Sequence, residues 1–121
     1  RVYSLPDLFA GKLHAVLFRK WKNRVKGRDW YDLVWFASWH PEFRLSHLEA
    51  RMRQSGNFQR KEPLAFAELR EMLQMAVHGL DVAKVRQDVL PFVRNPALLD
   101  VWSREFFLDI VDRIRPTAAR V

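Results

Sequence analysis

The 121-residue sequence predicts an all-α fold, a bundle of about six helices, and three observations carry that expectation. Apolar residues recur at three- and four-residue intervals through most of the chain, the spacing of one helical face. No segment sustains the period-two alternation of a half-buried strand, and no Asn-Gly or Asp-Gly pair signals a hairpin. Proline, glycine and capping residues fall between the apolar stripes, where helices begin and end. With 49% hydrophobic and 13% aromatic residues, the composition excludes a disordered tail.

Each element has its own signature. Ser4-Leu5-Pro6-Asp7 reads as a helix start, with a Ser cap, Pro in the first turn and an early acid. Leu5, Leu8, Phe9, Leu13 and Val16 then recur through about Lys22, and Lys12 falls inside that apolar arc. A lysine so placed must snorkel to an edge, pair with an acid or enter a pocket. Asn23 to Gly27 reads as a basic connector, with Gly27 giving the turn its freedom. A second helix is expected from Arg28 to Trp39, ended by His40-Pro41. Trp30, Leu33, Val34 and Ala37 share one of its faces, and Asp29, Asp32 and Phe36 another.

Ser46-x-x-Glu49 reads as a capping box that opens a third helix, closed near Ser55-Gly56. Residues 56–62 form a polar connector. Pro63 is expected to begin a fourth helix with Ala65, Leu69, Met72, Leu73 and Ala76 as its stripe, ending near Gly79. Asp81 caps a shorter fifth, carrying Val82, Val85 and Val89. Asn95-Pro96 is expected to start a sixth, with Leu99, Trp102, Phe106, Ile110 and Ile114 on one face. The whole reads as one helical domain, 1–121, and the 56–62 connector offers a division into halves 1–58 and 59–121.

Charge is unevenly placed. The net +7 sits wholly in residues 1–28, which hold eight Lys/Arg against Asp7 alone, while the rest balances. That asymmetry points to an anionic partner, a nucleic acid or a nucleoside triphosphate. Zero cysteines exclude disulfides and thiolate metal sites and fit a reducing, cytoplasmic setting. No apolar run approaches the roughly 18 residues of a membrane span, so no membrane partner is expected. His14, His40, His47 and His78 lack ligand spacing, and no metal is expected to bind this chain. The five tryptophans, Trp21, Trp30, Trp35, Trp39 and Trp102, read as core rather than as base-stacking platforms.

Two linked motifs narrow the function. The first helix carries Leu5, Leu8, Ala10, Lys12, Leu13, Ala15 and Arg19; after a basic gap come Lys26, Arg28, Asp29, Asp32 and Leu33. This pattern resembles the C-terminal part of the AbiEii/AbiGii-type nucleotidyltransferase toxins, with the match covering roughly residues 3–36. The resemblance implies a polymerase-β-like enzyme of a toxin–antitoxin or phage-defence system, using a nucleoside triphosphate and magnesium, with tRNA ends among the acceptors and a cognate antitoxin as partner. It also implies active-site roles for Lys12 and Asp29. Physical reasoning adds Asp32, and it makes Lys12, Arg19 and Arg28 phosphate contacts, since phosphoryl transfer needs its charge neutralised. Lys20, Lys22, Arg24 and Lys26 are the candidate nucleic-acid contacts. The sequence has no Gly-Ser dipeptide and no Asp-x-Asp pair. The metal-binding palm is therefore expected to lie outside this chain, which alone should be inactive. A basic nucleic-acid-binding module or an antitoxin-docking bundle is the alternative.

Overall fold

A computed structural model describes residues 4–19 and 27–118. It is a helical bundle built from α1 (Leu5–Phe18), α2 (Gly27–Trp39), α3 (Leu45–Gln54), α4 (Phe66–His78), α5 (Val82–Val89) and α6 (Arg104–Arg113). Two 3₁₀ turns, Leu90–Phe92 and Pro96–Leu99, separate α5 from α6. The all-α expectation holds. One feature escapes it: β1 (Glu42–Phe43) and β2 (Arg115–Pro116) form a short parallel pair. Beside the pair, Arg115 donates its N–H to the Pro41 carbonyl at 3.1 Å, and Thr117 donates to Phe43 at 2.8 Å. Two-residue strands carry too few side chains for alternation to show in sequence.

The α2 helix is the hub. It packs on α1, α5 and α6, while α1 also packs on α3, and α6 on α4. The apolar stripes set this arrangement. Phe9, Leu13 and Val16 of α1 meet Leu33, Phe36 and Ala37 of α2 in one core with Leu48, Leu69, Leu73, Val85 and Phe107. The Phe9 and Phe36 rings stack with centroids 4.9 Å apart, and Trp30 meets Phe107 edge-on at 5.4 Å. Burying side chains of this size stabilises by roughly 1.5–3 kcal/mol each.

Several boundaries differ from the sequence expectation. The third helix starts at Leu45 with Arg44 at its cap and no side-chain cap. Glu49 does not close a box with Ser46; it accepts from the Leu64 N–H at 2.7 Å and from Arg53 at 3.1 Å. The fourth helix begins at Phe66, where Glu68 accepts from the Ala65 N–H, so Pro63 lies before it. The expected sixth helix is split. Asn95 caps only a 3₁₀ turn, and Ser103 restarts the chain by accepting from the Phe106 N–H at 3.0 Å. That restart rotates the register, so Phe107 is fully buried and Phe106 only partly.

The 56–62 connector is tied down. Arg53 donates to the carbonyls of Arg60, Lys61 and Glu62. The Arg53 and Arg60 guanidinium groups lie 4.7 and 4.9 Å from the Phe58 ring, and Arg60 also pairs with Glu68. Gly56 takes φ +80°, the left-handed region that favours glycine.

Candidate nucleotide site

The candidate residues lie where α1 and α2 run side by side. On α1 the buried residues are Phe9, Ala10, Leu13, Ala15 and Val16, while Leu5 and Leu8 are exposed. Lys12 therefore stands at the border of the buried face rather than in its middle, because α2 and α3 cover the Phe9–Leu13–Val16 side. Of the three fates open to such a lysine, it pairs. Its Nζ donates to Asp32 Oδ2 at 3.0 Å, with the two side chains 43% and 38% exposed.

The second pair lies nearer the start of α2. Arg19, the residue that ends α1, donates from Nη1 to Asp29 Oδ1 at 3.3 Å. Asp29 is only 5% exposed, the one buried charged residue among those described. Both acids thus reach across to α1: Asp32 rather than Asp29 is the carboxylate on Lys12, and Asp29 serves Arg19. Arg28 is exposed, and its guanidinium lies 4.9 Å from the Phe92 ring centroid. Lys20, Lys22, Arg24 and Lys26 lie outside the described residues.

Two residues place this end of α2: Asp88, which sequence reasoning passed over, and Gly27, which it read only as a turn glycine and which opens the helix instead. Asp88 of α5 accepts from the Gly27 N–H at 3.0 Å, satisfying one of the free donors of the helix start. Gly27 is required for closeness. A Cβ there would lie 2.7 Å from the Val85 carbonyl oxygen and 2.8 Å from Asp88. No local sequence signal links positions 61 residues apart, so neither role was readable.

Trp35 and Trp39 are the other departure. Trp30 and Trp102 are buried as expected, but Trp35 is 43% and Trp39 71% exposed. The signal was present, because neither falls on the Trp30–Leu33–Ala37 face.

Chemically, the pairs present cations in fixed positions. An ammonium has three donors, and one Asp32 bond leaves Lys12 able to bind an anion while Asp32 limits its wandering. The set fits a phosphate chain. It does not fit magnesium: Asp29 and Asp32 are each engaged by a cation, and no group of three or more His, Asp or Glu residues is gathered among the described residues. No helix among the described residues is long and apolar enough to cross a membrane.

No curated protein and no solved structure matches the chain significantly. A family model does: the nucleotidyl transferase AbiEii toxin of type IV toxin–antitoxin systems matches residues 1–109. Membership implies a nucleotide substrate and a cognate antitoxin. With the match spanning most of its length, the chain belongs to the AbiEii nucleotidyl transferase toxin family.

Proposed function

We propose that the α1–α2 hairpin supplies the triphosphate-contacting residues for transfer of a nucleoside monophosphate onto a nucleic-acid acceptor, with tRNA as the preferred candidate. The observation that carries this is the Lys12–Asp32 pair, a half-exposed ammonium held by one carboxylate across two packed helices. In such a reaction an acceptor hydroxyl attacks the α-phosphorus and gives up its proton to solvent. The bond to the bridging oxygen breaks, and pyrophosphate leaves with the electron pair. Lys12, with Arg19 and Arg28, offsets the charge that builds on the departing oxygens. Asp32 positions Lys12, and Asp29 positions Arg19. The metal-binding carboxylates come from outside these 121 residues, in a cytoplasmic enzyme that uses magnesium.

The test is transfer of radiolabelled nucleotide to tRNA by the intact toxin. Lys12→Ala is expected to lower the rate by about 100-fold or more, as loss of one preorganised charge does elsewhere, with Lys12→Arg recovering part. Asp32→Asn is expected to act less severely. Unchanged labelling by Lys12→Ala removes the triphosphate role. The 121-residue chain alone is expected to give no labelled product with magnesium, and robust labelling overturns the assignment of the carboxylates elsewhere.

A further inference from the structure

The outer faces of α1 and α2 carry two aligned stripes. On α1, Leu5, Leu8, Lys12 and Arg19 follow one another along one side of the helix; on α2, Arg28, Asp32, Trp35 and Trp39 stand at i, i+4, i+7 and i+11. The helices are antiparallel: Arg19 meets Asp29, Lys12 meets Asp32 and Phe9 meets Phe36. The surface is therefore graded. Cations gather at the Arg19/Arg28 end, the Lys12–Asp32 pair occupies the middle, and Leu5, Leu8, Trp35 and Trp39 lie exposed at the other end. Trp35 is braced at 5.0 Å against Phe36, edge to face, and lies 5.5 Å from the His40 ring. At 1.5 Å of rise per residue, Trp35 and Trp39 stand about 4.5 and 10.5 Å along α2 from Asp32.

We infer that Trp35 and Trp39 form a stacking platform for a nucleobase whose phosphates lie toward Lys12, Arg19 and Arg28. The inference rests on the function proposed above and assigns a base contact to that same site. Its ground is the separation of charge from aromatic surface along one face. A nucleotide has the same polarity, phosphate at one end and an apolar ring face at the other, and exposed aromatics beside cations are how nucleic-acid bases are held without sequence readout. Trp35 and Trp39, one turn apart with Leu5 and Leu8 exposed at the same end, also make a grouped apolar surface rather than scattered single residues. The nucleotide unit has two sources, a free nucleoside triphosphate or the unpaired end of the acceptor strand.

Titration of the 121-residue chain, followed by quenching of tryptophan fluorescence and by calorimetry, tests this with three probes: ATP, a four-nucleotide single-stranded RNA, and inorganic tripolyphosphate. Trp39→Ala and Trp35→Ala are expected to weaken binding of the base-bearing probe about 5- to 150-fold each, with Trp→Phe restoring part of the loss and tripolyphosphate binding unchanged. A loss confined to ATP assigns the platform to the triphosphate substrate, and a loss confined to RNA assigns it to the acceptor. Equal affinity of Trp39→Ala and the parent for both base-bearing probes overturns the inference, as does an equal loss for tripolyphosphate. A dimer in sedimentation that Trp39→Ala dissociates also overturns it, since the face is then a protein interface. Lys12→Ala reports separately: if it weakens all three probes while the tryptophan variants do nothing, the phosphate reading stands and the platform falls.

Discussion

A lysine and an aspartate in contact across two helices are worth little as stability when both are half-exposed, about 0–1 kcal/mol. Lys12→Met is therefore expected to shift the melting temperature by only a degree or two while it removes transfer by the intact toxin. Thermal melts beside labelling assays check that separation, and a large fall in melting temperature marks Lys12 as structural. Glu68 gives a different kind of prediction. Its hydrogen bonds from Arg60, then from the Ala65 N–H, hold its carboxyl down to about 2. A carboxyl depressed on folding contributes stability above its unfolded value of 4.5, and that contribution is lost as pH falls toward 2. Glu68→Gln should thus be less stable than the parent at neutral pH, with the gap closing between about pH 4.5 and 2; urea melts across that range check it. His14 acts at milder pH. Burial, then the nearby Arg51, lowers its pKa below 6.5, so its contribution diminishes as pH falls below that value.

Several helices were legible where a stripe met a local cap. Asp81 accepts from the Lys84 N–H at the start of α5, and Gly79 follows α4, both as expected. Boundaries went astray where a capping side chain had a better partner at long range. Glu49 is drawn off by the Leu64 N–H; Ser103 is a different case, a local cap that interrupts a stripe periodicity alone would have run through. The candidate site was legible as residue types, because Lys12, Arg19, Asp29 and Asp32 do converge on one helix pair. Which acid served which cation was not, since that depends on the offset between α1 and α2, which the packing of Phe9 on Phe36 sets. At this scale the clearest test is Gly27→Ala. Its new methyl group would meet the Val85 carbonyl and Asp88, and overpacking of this kind costs about 1–3 kcal/mol. A melting temperature equal to the parent's would show that α5 gives way freely.

Over the whole molecule, the excess positive charge of the first quarter bears on the nucleic-acid acceptor proposed above. If Lys20, Lys22, Arg24 and Lys26 contact an RNA duplex, binding weakens steeply with salt, because each phosphate contact releases a condensed counterion. Neutralising three of them is expected to flatten the logarithmic salt slope by about 2–3 units. Lys12→Ala should leave the slope nearly unchanged. RNA titrations across a salt series decide it, and equal slopes for triple variant and parent make the run a solvated surface.

The bond from Gly27 to Asp88 has a consequence in time. On the ribosome the chain emerges from its N-terminus, so Lys12 and Asp32 leave the tunnel well before Asp88, and closing so long a loop carries an entropic cost that local contacts do not repay. Until then the first turn of α2 lacks both its distant cap and the α5 surface that fixes its approach. The start of α2 is thus completed only after α3, α4 and α5 have been made, although the pairs Lys12–Asp32 and Arg19–Asp29 lie wholly within α1 and α2.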